Sequence, residues 1–177
     1  LDLSIIFQVA ISEKTFGNAV ITIHYAHMNL WNISIEELYQ VAMTNTAMLR
    51  KYYINDMKNT LIDMLENGKT YTSNMVDYDK IEYIPMYIFT NELRIDGAGV
   101  ILYRDILKDF ASVIGVNLII IPSSVHETIV LPEIGNENID ELKELIHEIN
   151  RTQLLPDEIL SDSVYYYNRD TDDITMI

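Results

Sequence analysis

The chain has 177 residues, 49% hydrophobic and 22% charged, with six glycines and four prolines; this is the balance of a folded globular protein and not of a disordered one. It has no cysteine, which excludes a disulfide scaffold, a zinc–thiolate site, an iron–sulfur cluster and thiol catalysis. The formal net charge of −15 repels phosphate backbones and anionic headgroups, so neither direct nucleic-acid binding nor membrane binding is expected.

The length suits one domain able to bury roughly 70% of its unfolded surface without metal or disulfide staples. Apolar runs such as residues 116–122 fall far short of the roughly 18 residues that cross a bilayer. No basic-then-apolar leader opens the chain, and the expected setting is cytoplasmic. Leu1 stands almost at once inside a strand-like run, so the sequence reads as a fragment lacking its native N-terminus.

In chain order, residues 3–11 and 18–27 are rich in β-branched and aromatic side chains, with turn chemistry between them, and predict an antiparallel hairpin. Ser34 opens a helix with Glu37 as its capping-box partner. Ile35, Leu38, Ala42, Thr46 and Leu49 follow at helical spacing to about Arg50. A second helix is predicted over residues 55–67, stopped by Gly68. Residues 69–80 read as a polar loop between a front half, 1–68, and a back half, 81–177, of a single domain.

The back half predicts a strand at 84–90 and a helix at 98–114 ended by Gly115. An apolar strand at 116–121 follows, suited to cover on both faces. Then come a turn at Pro122, a strand at 125–131 and a helix capped by Asn138 with a stripe of Ile139, Leu142, Ile146 and Ile149. A short turn at Leu155-Pro156-Asp157-Glu158 leads to a terminal hairpin of 164–168 and 173–177. The class is α+β, β-β-α-α followed by the split β-α-β-β-α-β order: an antiparallel or mixed sheet with its helices on one face.

The densest chemistry lies in Pro122-Ser123-Ser124-Val125-His126-Glu127. An imidazole titrates near neutrality, a carboxylate can orient it, and a serine hydroxyl beside them is a potential nucleophile. Ser123, Ser124, His126 and Glu127 are therefore the catalytic candidates. In a strand, however, His126 and Glu127 point to opposite faces, and a β-turn held by its serines accounts for the same residues.

His24 and His27, three apart at a strand end, are not expected to ligate a metal together. Residues 168–173 place oxygens at alternate positions but lack the sixth-position glycine of a calcium loop, so they read as a hairpin turn. Asp96-Gly97-Ala98-Gly99 before a helix lacks the full dinucleotide and P-loop patterns; its glycines read as a tight turn with close packing. Tyr165-Tyr166-Tyr167, Tyr52-Tyr53, Trp31 and the methionines Met43, Met48, Met57 and Met64 suit packing or a protein interface. No cofactor and no metal are expected.

Leu1-Asp2-Leu3-Ser4-Ile5-Ile6-Phe7, Ile35-Glu36-Glu37-Leu38-Tyr39, Met86-Tyr87-Ile88-Phe89-Thr90-Asn91, Leu160-Ser161-Asp162-Ser163-Val164-Tyr165 and, most specifically, the Pro-Ser-Ser-x-His-Glu turn followed by Leu131-Pro132 carry a resemblance over nearly the whole chain. It resembles an uncharacterised domain-of-unknown-function family of gut-associated anaerobic Firmicutes. The resemblance implies a bacterial cytoplasmic setting and a longer N-terminus, and brings no activity.

The leading expectation is a protein-binding or regulatory module without catalytic activity, meeting another protein through aromatic and methionine-bearing surfaces. A hydrolase using His126 with Ser123 or Ser124 and Glu127 is the first alternative. An acidic nucleic-acid mimic is the second, although the acids are spread along the chain and not gathered in one block.

Overall fold

The computed structural model describes residues 1–13, 17–57 and 85–177. They fall into two compact units, Asp2–Leu49 and Arg50–Ile177, with Leu1 grouped with the second.

In the first unit, strands β1 (Gln8–Glu13) and β2 (Gly17–Thr22) form the expected antiparallel hairpin. The strand predicted to reach His27 stops at Thr22, and Tyr25–Trp31 forms a short helix, α1. The reason is local: His24 is extended (φ −109°, ψ 165°) and its N–H donates to His27 Nδ1 at 3.0 Å. That bond closes the first turn despite strand-prone residues. Helix α2 (Ile35–Leu49) starts as read from the sequence. Ser34 Oγ accepts the Glu37 N–H at 3.1 Å, and Glu37 Oε2 accepts the Ser34 N–H at 2.8 Å, the reciprocal capping box.

The second unit is built on strands β3 (Tyr52–Asp56), β4 (Tyr87–Asn91), β5 (Leu118–Ile121), β6 (Thr128–Pro132), β7 (Tyr165–Asn168) and β8 (Asp173–Met176). They lie side by side as β3-β4-β6-β5-β7-β8, every neighbouring pair antiparallel. Among the described residues of this unit, the helices described from end to end are α3 (Ile106–Ile114) and α4 (Ile139–Thr152), with a 3₁₀ turn at Ala98–Leu102. The α+β class, the antiparallel sheet and the terminal hairpin all stand. The split order holds too: β6 separates β4 from β5, and β5 separates β6 from β7.

The helices, however, do not share one face. The register puts Tyr87, Val130 and Ile120 on one side of the sheet and Ile88, Ile129 and Ile121 on the other. Phe110 of α3 sets its ring edge-on against Tyr87 and Phe89, with centroids 4.9 and 5.0 Å apart. Ile146 of α4 packs with Ile119, Ile121 and Leu131 on the opposite side. The cause is already in β5, whose consecutive apolar residues are all buried; a sheet covered on one face needs alternation instead.

Residues 55–56, placed in a helix by their spacing, end β3. The Met57 N–H donates to the Met86 carbonyl at 2.8 Å, and residues 58–67 of that predicted helix, with the loop at 69–80, lie outside the described residues. The predicted helix at 98–114 is interrupted because Tyr103 is extended and Asp105 sits at φ 60°. The Tyr103 hydroxyl donates to the Arg50 carbonyl at 2.7 Å. Gly115 ends α3 at φ 89°, as expected.

Candidate functional site

β4 and β5 run in the same direction and β6 runs against them, so the loops at 92–97 and 122–127 emerge at one end of the sheet. Asn91 is buried there. Its Nδ2 donates to the Ile95 carbonyl at 2.7 Å and its Oδ1 accepts the Leu93 N–H at 3.0 Å. This folds residues 92–96 outward with Arg94 at φ 54° and Asp96 at φ 50°, and leaves Leu93 and Ile95 more than half exposed.

Gly97 then passes so close to the sheet that a Cβ would lie 2.1 Å from Thr90 Oγ1 and 2.6 Å from the His126 carbonyl oxygen. Thr90 Oγ1 itself donates to that carbonyl at 2.7 Å. The close packing expected at the glycine pair is thus met by Gly97, while Gly99 faces open space.

The turn is sewn to its neighbours mainly through backbone. The Ala98 N–H donates to the Val125 carbonyl at 3.1 Å, and the Val125 N–H to the Glu158 carbonyl at 2.9 Å. Ser124 is buried, and its Oγ accepts the His126 N–H at 3.1 Å while its own N–H donates to the Glu127 carbonyl. The six-residue turn delays β6 to Thr128, so the predicted strand start at Val125 is early by three residues. Thr128 is fully buried and its hydroxyl has no hydrogen-bond partner among the described residues.

The imidazole of His126 is about one-third exposed and lies between two carboxylates. Nδ1 accepts the Asp96 N–H at 3.1 Å and lies 3.7 Å from Asp96 Oδ1. Nε2 is 3.7 Å from Glu158 Oε1. An acceptor at Nδ1 leaves the proton of the neutral ring on Nε2, facing Glu158. Because the carboxylates flank opposite nitrogens, they do not converge on one ion. No group of three His, Asp or Glu among the described residues is placed to hold a metal.

Of the sequence candidates, Ser124 and His126 meet through the backbone N–H of the histidine. No hydrogen bond joins the Ser123 hydroxyl, the Ser124 hydroxyl or the Glu127 carboxylate to the ring. The acids beside it are Asp96 and Glu158, 30 and 32 residues away in sequence, and no local spacing signals them. Asp96 was read as turn chemistry and Glu158 as part of a helical turn; only the strand order brings them together.

The remaining motifs resolve structurally. His24 and His27 cap α1 and do not end a strand, and His27 stacks on Trp31 at 5.8 Å. Asn168 Oδ1 accepts the N–H groups of Asp170 and Thr171, the side-chain turn that joins β7 to β8. Tyr167 donates to Asp172 Oδ1 at 2.7 Å; burial first, then that bond, push its phenol well above the usual range. The same bond, aided by Lys108 and opposed by slight burial, lowers the Asp172 carboxyl. Tyr166 donates to Glu133 at 3.0 Å and accepts from Asn117 at 2.7 Å. It borders an open concavity of about 390 Å³ that includes Ile119, Glu137 and Ile139.

A family model matches residues 1–169. The chain belongs to DUF5688, a family of unknown function. No curated protein and no solved structure matches it. Among the described residues of this DUF5688 chain, no helix is long and apolar enough to cross a membrane.

Its first unit carries a second candidate surface. Between residues 2 and 49, Met28 and Leu38 are the described hydrophobic side chains that are buried. Val9, Val20, Ile21, Tyr25, Leu30 and Trp31 are exposed, Tyr25 and Leu30 by about four-fifths. The pairing Val9↔Ile21 sets those two side by side on one face of the hairpin.

Proposed function

We propose that this chain is a protein-binding module without catalytic activity of its own, working in a bacterial cytoplasm and engaging its partner through residues 2–49. The observation that carries the reading is the apolar surface of that unit. Monomeric proteins seldom display large contiguous apolar patches outside interaction sites, and exposed aromatic residues such as Tyr25 and Trp31 are the kind that anchor interfaces.

The hydrolytic alternative is favoured by one feature, the partly exposed imidazole between Asp96 and Glu158. It is weakened by the Ser124 hydroxyl, which is committed to a backbone N–H.

A photo-crosslinking amino acid placed at Ile21 or at Trp31, with the more exposed Val113 as control (83% against 47% at both test positions), tests the proposal in the native host. One discrete adduct from Ile21 and Trp31 but not from Val113, abolished by Val9→Lys with the circular dichroism unchanged, is expected. Adducts indistinguishable from the control would overturn it. A hydrolytic turnover lost in His126→Ala would replace it with the alternative.

A further inference from the structure

The ring of His126 does two incompatible things. As a neutral acceptor, Nδ1 takes the Asp96 N–H at 3.1 Å and so fixes the outward loop at 92–97. As an imidazolium, Nδ1 carries a proton and can accept nothing. The same nitrogen then faces an N–H head-on, with the Asp96 carboxylate 3.7 Å away as the available acceptor. On the far side, Nε2–H already points to the Glu158 carboxylate at 3.7 Å.

Those two acids are the charged groups that the neighbouring segments turn toward the ring. Glu127, on its own segment, makes no ion pair among the described residues. The nearest cation in the loop, Arg94, lies over the Tyr53 ring at 5.4 Å. No lysine or arginine among the described residues pairs with Asp96 or Glu158, so their charge is available to the imidazolium.

We infer that His126 is a proton-operated clasp: neutral, it holds the loop through the Asp96 amide, and protonated, it drops that amide and grips the Asp96 and Glu158 carboxylates instead. The loop that answers is suited to change. Arg94 and Asp96 both sit in the left-handed region, which non-glycine residues hold only under local constraint. Removing the Asp96 bond takes away one such constraint. What moves is the presentation of Leu93 and Ile95, the exposed apolar side chains between them. Histidine side chains in general change charge between about pH 5 and 8, and that is the range in which to look for the clasp. The inference does not depend on what residues 2–49 bind.

Amide resonances of the intact chain, recorded across that pH range, read the clasp directly. The Asp96 N–H is expected to lose solvent-exchange protection on acidification, by about tenfold, the free energy of one hydrogen bond. The loss should share its midpoint with the His126 ring protons, and the Leu93 and Ile95 resonances should move with them. His126→Gln, whose side-chain oxygen can accept the same N–H but never ionises, should keep the protection at all pH values. Asp96→Asn and Glu158→Gln, each of which removes a carboxylate that the imidazolium grips, should move the loss of protection to lower pH. Asp96 protection that stays constant while His126 titrates would overturn the clasp. A transition that persists in His126→Gln would do the same.

Discussion

Leu118–Ile121 and β1 both carry β-branched apolar side chains, yet β5 is buried along its whole length whereas Val9 and Ile11 stand exposed. The difference lies in what surrounds each strand. β5 has β6 and β7 at its sides and lies in a sheet with a helix against each face, while β1 pairs with β2 alone among the described residues. A two-stranded ribbon alone is marginal in water. Apolar composition marks a strand that wants cover, and the cover itself has to come from elsewhere: from inside the chain for β5, and, on our reading, from a partner for β1.

The largest test of this contrast is Phe89→Ala against Val9→Ala in urea unfolding. Phe89 is fully buried against Phe110, and its truncation should cost about 3–5 kcal/mol. Val9→Ala should stay within about 0.5 kcal/mol; an equal loss at Val9 would mean that the hairpin face is covered in the isolated chain, and the comparison would fail.

Gly97→Ala should come next, at about 1–3 kcal/mol of overpacking, because its Cβ would collide with Thr90 and the His126 carbonyl. Gly99→Ala, facing open space, should lie within about 0.5 kcal/mol of wild type. Ser34→Ala removes one half of the α2 capping box and should cost about 1 kcal/mol. Hydrogen exchange should register it in the first turn of α2, with β4–β7 unchanged.

The smallest effect is electrostatic. The Asp172 carboxyl is lowered in the folded chain by the Tyr167 bond, so the ionised form is the one that folding favours. Its contribution is present above the unfolded value of about 3.9 and fades as pH falls through the folded value. Tyr167 is shifted the other way, so its contribution is present below about pH 10 and is lost at higher pH. Asp172→Asn should flatten the acid limb of β7–β8 amide protection while leaving the sheet core unaffected.

Much of the fold was legible because it rests on local rules. The Ser34–Glu37 box, the Gly115 stop, the Asn138 cap, which accepts the Glu141 N–H at 3.3 Å, and the doubly covered β5 can each be read within a few residues. What could not be read depends on residues far apart. Ile149 was assigned to the core stripe of α4, but the buried side chain there is Asn150, which donates to the Ser161 carbonyl and to Asp162 Oδ1; periodicity assigns only apolar residues inward. The two acids beside His126 were hidden for the same reason, since they reach the ring through tertiary turns. The helix at Tyr25 was missed because its cap is a histidine, outside the usual capping residues.

The interleaved strand order also governs how the molecule comes into being. During synthesis β5 gains β6 on one side soon after it is made, but its other edge waits for β7, more than forty residues later. Until Tyr165–Asn168 arrives, Leu118–Ile121 is a short, uncharged, open edge of the kind that templates aggregation. The three tyrosines of β7 therefore act as a late seal, and a nascent chain stalled before them would expose the sheet at its most adhesive point.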